Sequence, residues 1–256
     1  MNAAPASAGT MRLYADKVAR RLARYAFRKP MAMHNNGPLV SFTFDDVPDS
    51  AYALGAPMLE TAGARGTFYV SGGLVGSTQP DWRLMSAADC VDLHRRGHEI
   101  ACHTYSHRAA QTLDAIETNA EIVRNRMFFK SISRDIVPEN FAFPYGSVSP
   151  RSKRQMQRYF RSCRGVTGGI NVERVDLALL KAVPLSDNRT DYAAASRLID
   201  ETVRQNGWLI FYTHDVAASP TPFGCTPGLL EHAIVAAHEA GCAVLSVRDA
   251  LRRVAG

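Results

Sequence analysis

Two histidines four residues apart, His103 and His107, could supply two ligands to a metal ion. They follow directly after a short strand-like run, residues 99–102. Side chains at this spacing meet on one side of a helical or tightly turned segment, and neutral imidazole nitrogens are common zinc ligands. By itself the spacing is a weak signal, because two surface histidines are its more common explanation.

A pair of carboxylates far upstream, Asp45 and Asp46, strengthens the metal interpretation, because it also follows directly after a strand-like run. Two histidines and one carboxylate leave a coordination position open for water, which is typical of catalytic and not of structural sites. Without the histidines, a turn before Pro48 with a helix cap nearby would be the preferred interpretation of the two aspartates.

The rest of the chain predicts how these residues are positioned. With 256 residues, 46% of them hydrophobic and 21% charged, the chain can bury a sizeable core. Strand-like runs, residues 179–185 among them, alternate with helical patterns and are apolar on both faces, which favours a parallel sheet covered by helices. We expect an α/β fold, an irregular barrel of about seven parallel strands, with an open doubly wound sheet as the alternative. The predicted domain spans residues 38–256 and follows an N-terminal extension, residues 1–37.

The candidate residues share one position in this pattern, just beyond the carboxyl end of a predicted strand. They are Asp45 with Asp46, His103 with His107, Pro144-Tyr145-Gly146, and His214. In a parallel barrel these strand ends lie on one face, where active sites are built. We therefore expect all four groups at one mouth of the barrel.

A long helix over residues 112–130 follows the histidines. Its apolar residues recur at helical spacing and predict the face that packs on the sheet: Leu113, Ile116, Ala120, Val123 and Met127.

From Leu39 to Leu251 the chain resembles the NodB-type polysaccharide deacetylases, carbohydrate esterase family four. Residues 43–46 (Thr-Phe-Asp-Asp) are similar to the first motif of that family, and residues 103–107 (His-Thr-Tyr-Ser-His) to the second. Residues 141–146 resemble the third motif, and the strand that ends at His214 resembles the fifth. The order and spacing of these motifs make the resemblance specific.

The resemblance implies an irregular barrel, a divalent metal and hydrolysis of an acetamide on a sugar. Asp46, His103 and His107 would bind the metal, which would be Zn²⁺, with Co²⁺, Ni²⁺ or Mn²⁺ as alternatives. Asp45 would be the general base and His214 the general acid. Around the substrate would lie Pro144, Tyr145 and Gly146, with the N–H of Tyr145 facing the oxyanion, and Tyr212, which could narrow the acetyl pocket.

Two departures from the family pattern concern the general base. The third motif of the family has an arginine where this chain has Ala142, and that arginine normally holds the base. Arg164, near the end of the next predicted strand, is a candidate replacement, with an ordinary surface arginine as the alternative. The fourth motif is represented at best by residues 188–192, in which Asp191 either orients the base or caps the following helix.

Several functions share these residues. The leading expectation is removal of acetyl groups from N-acetylated amino sugars, with an O-acetyl esterase or an N-formyl sugar hydrolase as close alternatives. A catalytically dead glycan-binding module is favoured by the missing arginine and opposed by the retention of all five candidate residues. Trp82, on a loop, is either a packed anchor or a platform for a sugar ring.

The net charge of +6 suggests acidic partners. We expect a carbohydrate substrate and no nucleic acid, since no recognition motif accompanies the arginines. Residues 11–29, from Met11 to Lys29, predict a basic amphipathic helix that either contacts a membrane surface or packs on the domain. The sequence has no leader or spanning segment, which predicts a cytoplasmic protein with membrane association as an option.

Overall fold

The structure, a computed structural model, describes residues 17–255 and contains a parallel β-sheet wrapped by helices. Strands are numbered in chain order, and two of them, β1 (Pro30–Ala32) and β7 (Arg174–Asp176), form a separate small sheet. The strands of the main sheet are β2 (Leu39–Asp45), β3 (Thr67–Val70), β4 (Glu99–Cys102), β5 (Asn140–Ala142), β6 (Ser162–Arg164), β8 (Val183–Pro184), β9 (Trp208–Thr213) and β10 (Ala243–Val244). They pair in the order β6-β5-β4-β3-β2-β9-β8.

Every ladder of this sheet is parallel, which matches the prediction from the doubly apolar runs. β10 pairs with the first residues of β2, and β3 pairs with the last ones. The seven strands in one path form a half-barrel, so the predicted irregular α/β barrel is confirmed.

Helices connect the strands and cover the outside of the half-barrel. They are α1 (Ala56–Thr61, preceded by a π-helical turn, Ala51–Gly55), α2 (Ala87–Arg95), α3 (Ala115–Ile132), α4 (Pro150–Met156), α5 (Tyr192–Arg204), α6 (Pro227–Glu239) and α7 (Val247–Val254). Side-chain caps fix the first turns of α2 to α7, whereas α1 follows Gly55 without one. Ser86 and Asp114 form capping boxes with Asp89 and Glu117, respectively.

Aromatic side chains fill the space beneath the sheet. All seven residues of β2 are buried, and Phe44 stacks on Phe68 with ring centroids 4.7 Å apart. Phe42 stacks in the same way on Phe211 at 5.6 Å. Each such side chain contributes about 1.5–3 kcal/mol through burial, so the central strands that carry the site form a rigid base.

Apart from Leu113, which is buried just before the helix begins, the predicted buried face of the long helix is wrong. On α3, Ile116 is 81% exposed, Met127 65% and Val123 42%. The buried face instead consists of Thr118, Glu121, Ile122, Asn125 and Phe129. Two polar side chains of that face, Glu121 and Asn125, make hydrogen bonds to loops of the half-barrel, and these bonds replace apolar packing.

The N-terminal segment joins the half-barrel through a small second sheet. Residues 17–23 are helical, so the helix ends before Lys29, and residues 11–16 of the predicted helix lie outside the described residues. β1 (Pro30–Ala32) pairs antiparallel with β7 (Arg174–Asp176). Among the described residues, no helix is both long enough and apolar enough to span a membrane.

Candidate active site

The strand-end residues meet in one cleft of about 450 Å³ at the carboxyl ends of the sheet. Asp45 ends β2 and Asp46 follows it, while His103 and His107 follow β4. The turn Pro144–Gly146 follows β5, and His214 follows β9. Parallel strands bring these loops to one edge because all their carboxyl ends point the same way.

Asp46, His103 and His107 form a group whose ligand atoms all lie within 4.8 Å of one another. Nε2 of His107 lies 2.9 Å from Oδ1 of Asp46, and Nε2 of His103 lies 3.6 Å from the same oxygen. Ligands about 2.0–2.1 Å from a tetrahedral zinc ion would lie about 3.3 Å apart. The nitrogen and oxygen donors and their separations therefore fit a divalent metal.

The hydrogen bonds of both histidines suit a metal-binding role. Nδ1 of His103 donates to the carbonyl of Ala142 at 2.9 Å, which leaves Nε2 of the neutral ring with its lone pair. Nδ1 of His107 lies 3.1 Å from the hydroxyl of Tyr145. In both rings Nε2 is the atom that faces Asp46.

The charge states of the group also favour metal binding. Burial lowers the pKa of His103 to about 4, so the ring is neutral at neutral pH. Burial alone would raise the pKa of Asp46, but the surrounding imidazoles of His107, His103 and His214 outweigh it and hold that pKa well below its usual range. An ionised carboxylate beside a neutral imidazole is the protonation state that a metal ion requires.

The loops that carry these side chains have an unusual backbone. Asp46, Val47, Thr104, His107 and Tyr145 all have φ between 52° and 63°. This left-handed region disfavours side chains with a Cβ, most of all the β-branched Val47 and Thr104. Such conformations persist only where surrounding contacts fix them, and they concentrate at functional sites.

Helix α3 supplies contacts that fix the histidine loop. The carboxylate of Glu121 accepts the backbone N–H groups of Tyr105 and Ser106 at 2.9 and 2.8 Å. Asn125 accepts the N–H of Gly72 and donates to the carbonyl of Val70. Sequence analysis missed both residues. The only signal for them is their four-residue spacing, which places them on one helix face.

Asp45 is held by Arg164, whose Nη2 lies 2.5 Å from Oδ2 of the carboxylate. The guanidinium lies between the rings of Tyr69 and Tyr212, 5.1 and 5.0 Å from their centroids. Burial opposes the charge of Arg164, but the carboxylate of Asp45 outweighs it and raises the pKa of the guanidinium. The arginine therefore stays charged, and Oδ1 of Asp45 is buried without a hydrogen-bond partner in the described part of the chain.

His214 also faces the ligand group, with Nε2 3.8 Å from Oδ2 of Asp46. Its Nδ1 donates to the carbonyl of Phe223 at 3.3 Å. Its ring stacks on Trp82, with centroids 5.8 Å apart. Two loops therefore orient this imidazole and leave Nε2 facing the cleft.

The loop that carries Phe223 is tied to the residue after the histidine. The buried carboxylate of Asp215 accepts the N–H and the hydroxyl of Thr221 at 2.8 and 2.6 Å. A Cβ at Gly224 would lie 2.2 Å from that carboxylate, so the loop can close this tightly only with glycine there. Asp215 thus keeps the carbonyl partner of His214 in place.

A family model described as polysaccharide deacetylase matches residues 32–160, half of the chain. This chain belongs to the polysaccharide deacetylase family. Two curated relatives come from Cryptococcus neoformans var. grubii. Chitin deacetylase 2 is 25% identical over 158 aligned residues, and chitin deacetylase 1 is 31% identical over 113. The aligned parts cover 62% and 43% of this chain but only 29% and 21% of those relatives, so the match spans less than a third of their length.

Solved structures share the fold of this polysaccharide deacetylase. The chitin deacetylase of Colletotrichum lindemuthianum superposes with a TM-score of 0.58 at 17% identity and covers 85% of this chain and 89% of its own. A family 4 acetyl xylan esterase of Clostridium thermocellum, solved with a cobalt ion, gives 0.58 at 22% identity, with coverages of 84% and 90%.

Two arginines at the cleft of this polysaccharide deacetylase were not expected from the sequence. Arg20 and Arg189 line it, and Arg189 makes a hydrogen bond with Tyr212. Trp82 both packs on His214 and lines the cleft. Asp191 is the N-cap of α5, where it accepts the N–H of Ala194 at 2.7 Å, and it is not among the residues that line the cleft.

Proposed function

We propose that this polysaccharide deacetylase is a metal-dependent hydrolase that removes acetyl groups from N-acetylated amino sugars of an oligo- or polysaccharide. The observation that carries the proposal is the meeting of three candidate ligands, a held carboxylate and an oriented imidazole in one cleft. The ligands are Asp46, His103 and His107, and the metal is Zn²⁺, with Co²⁺, Ni²⁺ or Mn²⁺ as alternatives. The ion would lower the pKa of a water molecule and polarise the acetyl carbonyl.

Asp45 is the proposed general base. Arg164 donates a hydrogen bond to Oδ2 of Asp45, so the unpartnered Oδ1 is the atom that accepts a proton from the attacking water. The ion pair fixes the direction of its free oxygen. Arg164 thus takes the place of the arginine that the third motif lacks at Ala142.

His214 is the proposed general acid. Because Nδ1 donates to a carbonyl, a protonated ring carries its second proton on Nε2, the atom that faces the cleft. That proton goes to the nitrogen of the departing amino sugar when the C–N bond breaks. Stacking on Trp82 fixes the plane of the ring.

The turn Pro144–Gly146 is the proposed oxyanion contact. In the described part of the chain, no turn or loop hydrogen bond uses the N–H of Tyr145. Its left-handed conformation directs the backbone away from the ladder of β5. This free donor and the metal would together stabilise the negative charge on the acetyl oxygen. Tyr212 lines the cleft beside Arg164 and limits the room for a larger acyl group.

An O-acetyl esterase or an N-formyl sugar hydrolase would use the same residues, and we keep them as alternatives within this proposal. The ion pair between Arg164 and Asp45 weighs against a dead glycan-binding module, because it fills the gap that favoured such a module. The similar proteins give no support to membrane contact through residues 11–29, and the proposal does not include it. The cytoplasmic location stays a prediction.

The test is release of acetate from N-acetylglucosamine tetramer by the purified protein, measured before chelation, after chelation and after return of Zn²⁺. We expect activity to disappear with the metal and to return with it. The double variant His103→Ala/His107→Ala should hold no metal and show no activity, whereas His232→Ala/His238→Ala, outside the cleft, serves as the control. Full activity in the chelated wild type would refute the proposal.

A further inference from the structure

A second cavity, of about 360 Å³, is lined by an excess of basic side chains. Arg24, Arg28, Arg174 and Lys181 face it, and Asp176 is its one acidic lining residue within the described chain. None of these residues belongs to the site proposed for the hydrolysis. The cavity therefore needs an explanation of its own.

The carboxylate of Asp176 does not neutralise these cations, because other donors already occupy it. Nζ of Lys153 lies 2.5 Å from Oδ2, and the N–H groups of Lys29 and Ala178 lie 2.8 and 3.1 Å from Oδ1. The nearest guanidinium, that of Arg28, is 4.0 Å away. Over residues 17–255, Arg24 and Arg174 have no carboxylate within ion-pair distance, so the cavity keeps a positive charge.

Two pieces of chain connect this cavity to the catalytic cleft. Val166 lines the cleft, while its neighbours Thr167 and Gly168 line the second cavity. Arg20 lines the cleft, and Arg24, four residues later, lines the second cavity. The cleft and the basic cavity are therefore neighbours, joined by these two segments of the chain.

We propose that the second cavity binds an anionic group, a carboxylate or a phosphate, carried by the same glycan that is deacetylated in the cleft. Arginine guanidinium groups bind both anions in a bidentate manner, and three arginines line this space. The substrate class is then an acidic glycan, with Arg20 and Arg189 at the cleft adding to the attraction. This inference rests on the proposed deacetylase function.

The experiment compares three N-acetylated probes. They are neutral N-acetylglucosamine tetramer, a hyaluronan tetrasaccharide that carries uronic acid carboxylates, and the nucleotide sugar UDP-N-acetylglucosamine, which carries phosphates. The zinc-loaded wild type is compared with Arg28→Gln/Arg174→Gln and with the control Arg95→Gln/Arg134→Gln, which removes two exposed charges outside both cavities. The readout is the ratio of kcat/KM for each anionic probe to that for the neutral one.

We expect the ratio to fall about tenfold in Arg28→Gln/Arg174→Gln, mainly through KM, and to stay at the wild-type value in the control. The wild-type preference should also weaken as salt rises. A fall with hyaluronan alone assigns a carboxylate, a fall with the nucleotide sugar alone assigns a phosphate, and a fall with both assigns either anion. A ratio equal to that of the wild type for both anionic probes overturns the proposal.

Calorimetric binding of the two anionic probes separates this inference from the function on which it rests. If the wild type hydrolyses none of the three probes, the proposed function fails, and binding alone then decides the subsite. Binding about tenfold weaker to Arg28→Gln/Arg174→Gln than to the control supports an anion subsite. Equal binding to the two variants, or no binding to the wild type, overturns it.

Discussion

Asp45 and Asp46 are chain neighbours with different surroundings. Asp45 is paired with a buried guanidinium, whereas Asp46 faces three imidazoles. The left-handed backbone at Asp46 turns the chain at the end of β2 and separates the two carboxylates. Two carboxylates of the same chemical type usually take different catalytic roles when their surroundings differ in this way.

Asp45→Asn should keep the metal and lose activity. The three ligands are untouched, but the amide cannot accept a proton, so kcat should fall by a factor on the order of 100 or more. Elemental analysis measures the metal, and acetate release from N-acetylglucosamine tetramer measures turnover. The exposed neighbour Asp49 provides the matched control, Asp49→Asn. Near-wild-type turnover in Asp45→Asn would contradict the proposed role.

Arg164→Ala should shift the acidic limb of the kcat/KM profile to higher pH. A positive charge favours the ionised form of a nearby carboxylate, so without it the base becomes protonated at higher pH, by ~1–3 pH units. At pH values below this limb, kcat/KM falls because the protonated base cannot accept a proton from water. Arg164→Lys keeps the charge but cannot lie flat between two rings, so its shift should be smaller.

The measurement is a pH–rate profile at constant zinc content, with the exposed Arg158→Ala as the control. Metal content and far-UV circular dichroism establish that each variant is folded and loaded. A profile of Arg164→Ala that overlays the wild type would show that this arginine has a structural role alone.

Much of the site was predictable from residue type and strand position. The strand-end rule identified Asp45, Asp46, His103, His107 and His214, and the structure brings them together. Arg164 was a candidate because it ends a strand, but only the packing of Tyr69 and Tyr212 places its guanidinium on Asp45. Trp82 and Phe223 lie on irregular loops, for which the sequence offers no periodicity.

At the scale of elements, α3 was predicted as a helix but with the wrong face toward the sheet. Hydrophobic spacing selects Ile116, Val123 and Met127, yet these are exposed. The helix is instead rotated so that Glu121 and Asn125 reach loops of the half-barrel. A sequence pattern reports apolar burial, and it cannot report hydrogen bonds between a helix and distant loops.

Asn125→Ala should destabilise the protein by about 2–6 kcal/mol. The change leaves the buried N–H of Gly72 and the carbonyl of Val70 without their partner, and each such loss costs ~1–3 kcal/mol. Urea unfolding measures the free energy. Asn119→Ala, on the exposed side of the same helix, is the control and should change stability by less than ~0.5 kcal/mol. Equal effects of the two substitutions would contradict this account of α3.

Strand boundaries were less predictable than strand order. Residues 179–185 were expected to form one strand, but β8 contains Val183 and Pro184 alone. Leu177 and Leu180 instead make backbone hydrogen bonds with Cys163 of β6. The doubly apolar runs predict a parallel sheet, whereas the partner of each residue depends on how the sheet curves.

At the scale of the whole molecule, one buried lysine fastens the N-terminal segment to the half-barrel. Nζ of Lys153, on α4, donates to the carbonyl of Ala23 at 2.7 Å and to Asp176 on β7. Nζ of Lys29 donates to the carbonyls of Phe160 and Arg161. These bonds place Arg20 at the catalytic cleft and Arg24 at the basic cavity, so the segment contributes to both.

Lys153→Met should release this segment. The substitution keeps the length of the side chain but leaves Asp176 without its buried cation, a loss that costs about 3–5 kcal/mol. Trypsin should then cleave after Arg24 and Arg28 at least tenfold faster, as mass spectrometry of the fragments would show. Lys130→Met, at an exposed position, is the control. In the double variant Lys153→Met/Asp176→Asn no charge is left unpaired, so cleavage should slow again. Equal cleavage rates in Lys153→Met and the wild type would mean that other contacts hold the segment, and the ion pair would then have no part in positioning Arg20 or Arg24.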